Sequence, residues 1–443
     1  MQFDLAILGS GFGGSITALV AKQMGMNPVL IEKGTHPRFA IGESSTPQAN
    51  IALTHIANSY NLPRLKPLAR YGTWKDSYPE LNCGPKRGFT YVSHPNIDCE
   101  LLVEASPDGY DCDTQWDRAD LDAFLVHEVK SAGISYFDST TVSLHEKNGW
   151  QLHSEQVSCT AEFLVDATGG ANPLDIPQDY ARFHTNSRGI FSHFKGVVPW
   201  DELHGKSKHP YPCHDAALHH IFDGGWMYVL HFDNGITSAG FILDRDARPD
   251  DTWESLMLEF PHIHEQFQNA TSVLPVVKTE RMQRCSTQIA GSNWAMLPSS
   301  AYCIDPLHST GIAHTLYCID RLMQCIQGEG DLQGYSVKMQ QEMIPIDQLV
   351  HGSYACMHDF ESLTSYLMLY FAGADFTERQ RRSGMYTDFL NSDDQAFCKI
   401  VNHFYQQALT GTILSSEIAE AITPWNEVGL CDPVKQNMYE YAS

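Results

Sequence analysis

The tightest constraint on this chain lies in its first 32 residues. Phe3 to Leu8 is a short apolar run without turn residues, as expected of a strand buried on both faces. Gly9-Ser10-Gly11-Phe12-Gly13-Gly14 follows at once, and Ser15 to Met24 then shows helical spacing. After the break at Gly25-Met26-Asn27-Pro28, Val29-Leu30-Ile31 reads as a second strand ending at Glu32 and Lys33. This is a strand–turn–helix–strand unit with Gly-x-Gly-x-x-Gly at its turn, the context that makes the motif a dinucleotide fingerprint. Gly9 allows the tight turn, Gly11 lets the backbone approach a pyrophosphate, and Gly14 lets helix and strand pack closely. The loop from Gly9 through Phe12 and Gly13 to Gly14 ends at a helix start, which offers N–H donors and positive dipole to phosphates. Glu32 is expected to accept the adenosine ribose hydroxyls, and Lys33 lies beside it.

The remaining chain bounds the architecture. Its 443 residues suggest two to four structural units or one composite enzyme. Asp120 to Ala132 reads as a helix, and Trp150 to Thr168 alternates before a second buried strand end at Asp166-Ala167-Thr168-Gly169-Gly170. From 176 to 284 the chain is rich in aromatics, His, Pro and Gly, with strand patterns at Trp226 to His231 and Thr237 to Leu243. Beyond Ile312 it becomes helical. The expected division is a dinucleotide-binding domain over 1–175, with an insertion near 70–100, and a β-sheet substrate domain over 176–284. A return to the first domain over 285–330 and a helical region over 331–443 complete it.

Lys plus Arg is 29 against 53 Asp plus Glu, a net charge of −24. That argues against a nucleic-acid or anionic-membrane surface, each of which needs a basic footprint. It leaves room for a phosphorylated cofactor held by backbone groups. No apolar run reaches membrane-spanning length, and Asp4 near the N-terminus opposes a signal peptide. The 12 cysteines lack CxxC spacing, which fits free thiols in the cytoplasm. Of the 21 histidines, His219-His220 and His209 with His214 are the conceivable ligands, but no metal-site spacing is present, so no metal is expected.

Several segments are similar to known motifs. Asp166-Ala167-Thr168-Gly169-Gly170 resembles the strand end of FAD-dependent monooxygenases, and Arg118 in Trp116-Asp117-Arg118-Ala119-Asp120-Leu121-Asp122 resembles the arginine that lies near their flavin. Gly42-Glu43-Ser44 resembles a turn after the second strand of flavin-dependent halogenases. Asp305-Pro306-Leu307-His308-Ser309-Thr310-Gly311-Ile312 is very similar to that family's segment beside the isoalloxazine. Lys86-Arg87-Gly88-Phe89 resembles the segment carrying its essential lysine, and Phe360 to Arg382 resembles its helical C-terminal region. The chain thus resembles the flavin-dependent halogenases, a branch of the FAD-dependent monooxygenase superfamily. The resemblance implies a Rossmann-like FAD-binding domain of p-hydroxybenzoate hydroxylase type with a β-sheet substrate domain.

Three departures refine it. The family's G-W-x-W-x-I-P stretch reads Gly225-Trp226-Met227-Tyr228-Val229-Leu230-His231, which keeps an aromatic hydroxylase as the alternative reading. His308 stands where tryptophan-type members carry Glu, so the likeness is to phenol- or pyrrole-type members. Pro298-Ser299-Ser300-Ala301 replaces the usual G-D-A.

The implied chemistry uses reduced FAD, oxygen and chloride or bromide to form hypohalous acid, which a lysine directs to an electron-rich aromatic, free or carrier-bound. Lys86 is the expected lysine and Lys75 the competitor. A halide would rest on Ser309, Thr310 and Gly311, where backbone amides at a helix start need no basic side chain. His308 is the expected proton acceptor, with His231 and His94 as further choices by chemistry alone. Trp226 and Tyr228, two apart on a strand, share a face and are expected to wall a tunnel. The single nucleotide fingerprint suggests that a separate flavin reductase supplies reduced cofactor.

Overall fold

The computed structural model describes residues 1–106, 108–205, 209–385, 387–432, 434–435 and 438–440. Its first sheet has seven strands. Gln2–Leu8 lies between Pro28–Ile31 and Ser158–Asp166, parallel to both. Ser135–Phe137 and Trp294–Met296 extend the parallel part, while Trp150–His153 and Ser143–Glu146 form an antiparallel edge. Leu5, Ala6 and Ile7 are wholly buried, as a parallel strand covered on both faces requires.

The helix after the glycine turn spans Phe12–Gln23, three residues earlier than its side-chain pattern indicates. Gly13 and Gly14 are inside its first turn because helix and strand touch there. A Cβ on Gly14 would fall 1.9 Å from the Gly9 carbonyl oxygen. Glycine at these positions therefore buys close packing at the cost of local helix propensity. Arg118–Ser131 is the next long helix, capped by the Asp117 carboxylate on the Ala119 amide.

The second sheet has nine strands. Ser187–Lys195, Ile236–Asp244, Gly225–His231 and Ala217–Phe222 form its antiparallel centre. Gly88–Ser93 joins this centre in parallel beside Ala217–Phe222, followed by Glu100–Glu104 and Met438–Glu440. The segment after Lys86 and the far C-terminus are thereby drawn into the sheet that the aromatic-rich middle of the chain begins. Its two faces alternate as the pleat demands. Trp226, Tyr228 and Leu230 belong to the large central core, whereas Met227 and Val229 belong to a smaller core. Helices Trp253–Glu259 and Pro261–Phe267 cover that smaller core.

Helix Pro47–Ser59 packs against Thr310–Gln327, and Leu332–Cys356, Phe360–Arg382 and Gln395–Thr410 follow in the C-terminal part. Phe360–Arg382 begins at an Asp359 cap and ends in Arg379, Arg381 and Arg382, charges that suit each end of the helix dipole. Among the described residues, no helix is long and apolar enough to cross a membrane.

Candidate active site

The glycine turn distinguishes positions that serve the fold from one that faces a ligand. Gly9 has φ +95°, and a Cβ there would lie 2.5 Å from the Ala167 carbonyl oxygen. A Cβ on Gly11 would meet only the Arg118 and Asp122 side chains, at 3.5 and 3.7 Å. The protein therefore leaves Gly11 room that its fold does not use, as a pyrophosphate cradle requires. Glu32 is buried, and its carboxylate accepts the Ser10 and Gly34 amides at 2.8 and 2.9 Å. Burial raises its pKa, but those amides, Arg38 and the Ser10 hydroxyl outweigh it, so the group stays ionised. An anchored carboxylate at this strand end suits ribose hydroxyls. Lys33, next to it, is exposed.

Asp166 closes the parallel strand and accepts the Thr168 amide and hydroxyl at 2.9 and 2.7 Å. Gly169 has φ +70° and donates its amide to Ser300 at 3.0 Å. Ser300 thus braces this turn, while its neighbour Ser299 lines the cavity.

A cavity of ≈ 330 Å³ opens beside this turn. Phe12, Gly42-Glu43-Ser44 and Arg118 form one side, and Asp305 with Ser309 to Ile312 another. Trp226, Tyr228 and His219 of the second sheet close it. Arg118 is buried, pairs with Asp122 and donates to the Ile41 and Gly42 carbonyls at 3.1 and 3.2 Å, with its guanidinium over the Phe12 ring. It fastens the Gly42 turn to the fingerprint helix. Glu43 ties the same turn to the second sheet through His193 at 2.7 Å and the Ser238 hydroxyl at 2.6 Å. The Ser44 hydroxyl is buried at the cavity with no protein partner. Together with the open Gly11 backbone, this polar wall fits an FAD-type cofactor.

The Asp305 segment is rigid on one side and open on the other. Asp305 accepts the Ser187 and Tyr354 hydroxyls at 2.6 and 3.0 Å, and Tyr354 in turn accepts the Trp226 indole N–H at 3.1 Å. Burial pushes the Asp305 carboxyl up to about 6. Ser309 adopts a left-handed conformation (φ +52°) and makes no side-chain cap, contrary to an ordinary Ser or Thr N-cap. A Cβ on Gly311 would meet nothing within 4 Å. The first-turn amides of Thr310 and Gly311 are therefore left to the cavity, while Ile312 is buried beneath them.

His308 is 1% exposed, stacks on Tyr370 at 4.4 Å, and neither ring nitrogen makes a hydrogen bond. Burial lowers its pKa to about 4, with the Leu349 backbone acting the other way, so the ring is neutral at physiological pH.

Lys86 does not line the cavity. It ends strand Cys83–Lys86, is fully buried, donates to the Ser45 carbonyl at 2.6 Å, and stands 3.9 Å from the Phe89 ring centroid. Aromatic contacts connect the two places: Trp226 meets His219 at 5.0 Å, and His219 stacks on Tyr91 at 4.9 Å and Phe89 at 5.8 Å. Trp226 and Tyr228 are 6.2 Å apart on the cavity face of their strand. Lys75 is half-buried and paired with Asp233 at 2.9 Å. His231 bonds Thr237 and His94 bonds His220, and neither lines the cavity.

His219 lines the cavity, and sequence reasoning weighed it only as a ligand. The signal was its place between Ala217 and Ile221 on one strand face. His220 points to the opposite core, so the two adjacent histidines share no site. His209 instead lies near Asp201 and Cys213 and bonds Glu100 at 2.8 Å.

A dinucleotide cradle that opens onto a cavity closed by a second sheet defines an FAD-dependent oxidoreductase of monooxygenase architecture. No protein-family model matches the chain. It is 29% identical over 408 residues to the monodechloroaminopyrrolnitrin halogenase PrnC of Pseudomonas fluorescens, covering 84% of this chain and 71% of that protein. It is 27% identical over 441 residues to the tetracycline 7-halogenase of Kitasatospora aureofaciens, covering 90% and 78%. The crystal structure of halogenase PltM with phloroglucinol and FAD shares its fold at TM-score 0.86 and 22% identity, covering 96% of this chain and 95% of that one. These relatives are flavin-dependent halogenases, and the chain is similar to them over most of its length.

Proposed function

We propose that this halogenase acts on an electron-rich aromatic of phenol or pyrrole type, free or carrier-bound, with chloride or bromide as the halogen source. The observation that carries the reading is a fully buried lysine joined to a flavin-sized cavity by a row of aromatic rings. When bound and reduced, FAD together with oxygen supplies the oxidising equivalent that converts halide to hypohalous acid. The backbone at Gly9, Gly11, Phe12, Gly13 and Gly14 holds the pyrophosphate, and Glu32 the ribose. Gly42 to Ser44, Arg118, Asp166, Gly169 and Asp305 shape the flavin pocket. Thr310 and Gly311 amides hold the halide at the start of their helix. Trp226, Tyr228 and His219 exclude water between the cavity and Lys86, so the oxidant meets one buried N–H donor rather than bulk solvent. Lys86 directs the halogen to the ring: the oxygen–halogen bond breaks as the carbon–halogen bond forms, and the departing hydroxide leaves as water with the proton that the ring carbon releases through His308. His308, buried and neutral, accepts the proton that the ring carbon releases.

Phenol and pyrrole selectivity rests on His308 standing where a carboxylate would favour other rings, and on PltM having been crystallised with phloroglucinol. We also infer a separate flavin reductase as the source of reduced cofactor, because the chain carries one nucleotide fingerprint. A cytoplasmic setting is consistent with its twelve free thiols. The test combines the protein with FAD, a flavin reductase, NADH, oxygen and bromide or chloride. Phenolic and pyrrolic probes, free and carrier-linked, are then read by mass spectrometry. Halogenated product is expected. Hydroxylated product with no halogenation would overturn the reading in favour of a hydroxylase, the alternative that Tyr228 and His231 raise.

A further inference from the structure

Lys86 belongs to a ring of buried polar groups, closed through the strand ladder and not by a direct side-chain contact, that the family motif does not include. Its ammonium donates to the Ser45 carbonyl at 2.6 Å. The Ser45 hydroxyl donates to Asn50 Oδ1 at 3.1 Å, and Asn50 Nδ2 donates to Asp113 Oδ1 at 2.5 Å. Asp113 is in turn the antiparallel partner of Lys86 in the two-stranded ladder of Cys83–Lys86 with Asp113–Trp116. Directly opposed residues of such a pair present their side chains on the same face. Ser45, Lys86 and Asp113 are fully buried, and Asn50 is 4% exposed. Asp113 Oδ2 is buried and makes no hydrogen bond.

The charges around this ring leave Asp113 as the acid that governs the lysine. Burial drives the Lys86 pKa down, and the Asp113 carboxylate is the group that opposes it. Burial likewise raises Asp113, while Lys86, Arg70, the Asn50 amide and Arg382 favour its ionised form. Glu378, on the helix facing it, is pushed up to about 8 mainly by burial, with Arg382 at 2.6 Å acting the other way, and burial raises the Tyr370 phenol. Asp375 is paired with Arg379. His219, which feels Lys86 from the cavity side, is held neutral by burial with a pKa of about 3.

We propose that Asp113, oriented by Asn50, is a positioning residue for halogenation: it keeps Lys86 an ammonium and fixes it against Ser45, directly behind the Ser44 wall of the flavin cavity. The proposal rests on Lys86 being the lysine that receives the oxidant. An isolated buried lysine loses its proton readily. A free amine would react with hypohalous acid, its lone pair forming an N–halogen bond as water leaves. An ammonium has no lone pair to give. It can only donate a hydrogen bond, which polarises the oxidant and leaves the halogen for the aromatic ring.

The test follows halogenation of a phenolic probe by the reconstituted holoenzyme, with bromide and a flavin reductase, across neutral and alkaline pH. Asp113→Asn is expected to lower kcat roughly tenfold at neutral pH while KM for the probe stays within about twofold. Its alkaline limb should move about one pH unit toward acid, because Lys86 loses the carboxylate that held its proton. FAD affinity and peroxide release from reduced flavin should be unchanged. Asp113→Glu should restore the limb, and Asn50→Ala should shift it in the same direction by less. An unmoved alkaline limb with kcat within about twofold of the parent enzyme overturns the proposal. If Asp113→Asn fails to bind FAD, the Asn50→Ala profile decides, and an unshifted one overturns it. Lys86→Ala separates the layers. If that variant halogenates normally, the role of Lys86 falls and that of Asp113 with it. If it is inactive while Asp113→Asn keeps the parent profile, only the role of Asp113 falls.

Discussion

The helix start at Ser309 to Ile312 and the strand pair around Lys86 are joined by the aromatic row from Trp226 through His219 to Phe89, yet they are built from different materials. At the first, as at the glycine turn, the protein presents backbone. Ser309 is left-handed, and Gly311 has empty space where a side chain would be. At the second, buried ionisable side chains carry the chemistry: Lys86 is held by the Ser45 carbonyl, and Asp113, opposite it in the strand ladder, by the Asn50 amide. Backbone amides suit ligands that arrive charged and must leave again, because they attract without a counter-charge that would trap them. A buried ammonium suits a reactive guest that should meet one donor and no water. The net charge of −24 is compatible with both, since neither place relies on a basic surface.

Removing the lysine breaks this comparison most severely. Lys86→Ala is expected to cut halogenation by roughly a thousandfold, a loss of about 4 kcal/mol in the reacting step. Peroxide from reduced flavin and oxygen should continue, because the cavity is untouched. Product yield and peroxide measured in one reaction check both halves. Retained halogenation would reassign the lysine.

The glycine turn offers the next contrast. Gly14→Val would force a Cβ to within 1.9 Å of the Gly9 carbonyl, backbone against backbone. A loss of at least about 3 kcal/mol of stability is expected, visible as a lowered urea midpoint. In Gly11→Ala the new Cβ meets only side chains, at 3.5 Å or more. This variant should keep the fold within about 1 kcal/mol yet weaken FAD at least about tenfold by titration. Equal effects of the two on stability would show that Gly11 serves packing and not the cofactor.

A smaller effect tests the halide site. Gly311→Ala places a methyl group in the empty space at the helix start, where an alanine fits the backbone without strain. The expected result is a KM for bromide raised about threefold with FAD affinity unchanged. No change in the bromide KM would move the halide elsewhere.

What could be read from the sequence follows the range of the interactions. The first strand, glycine turn, helix and second strand were legible because each is specified by neighbours within a few residues. The motif at Asp305 to Ile312 was legible as a segment, but the left-handed Ser309 was not, because a free serine offers a side-chain cap that this turn does not use. Lys86 carried a local pattern. Its partners Asn50 and Asp113 did not, since the ladder that brings Asp113 opposite Lys86 spans a separation no periodicity reports. The same holds for Gly88–Ser93, which pairs in parallel with Ala217–Phe222 and so moves the segment after Lys86 into the second sheet. His219 was ambiguous in sequence for a different reason. Adjacent histidines point in different directions on a strand, which argues against a ligand pair, but the sequence does not say which of the two faces the cavity and which the outer core.

That division of the histidine pair yields the mildest prediction. His220 is fully buried on the outer face, bonds His94 and Gln266, and is held by burial at a pKa of about 4. Its folded pKa is depressed, so below the ordinary histidine value of 6.5 the unfolded chain binds a proton that the folded chain refuses. Stability therefore falls as pH drops from 6.5 toward 4, and it is flat in this term above 6.5. At pH 5 the loss from this one residue is about 2 kcal/mol relative to pH 7. Urea unfolding at a series of pH values should show the decline in the parent protein. In His220→Gln the slope between those limits should be shallower by about 1.4 kcal/mol per pH unit, one proton's worth. An unchanged slope would mean that the outer histidine is solvated or charged in the folded chain, and that the contrast between a neutral aromatic interior and the charged ring at Lys86 is weaker than the packing indicates.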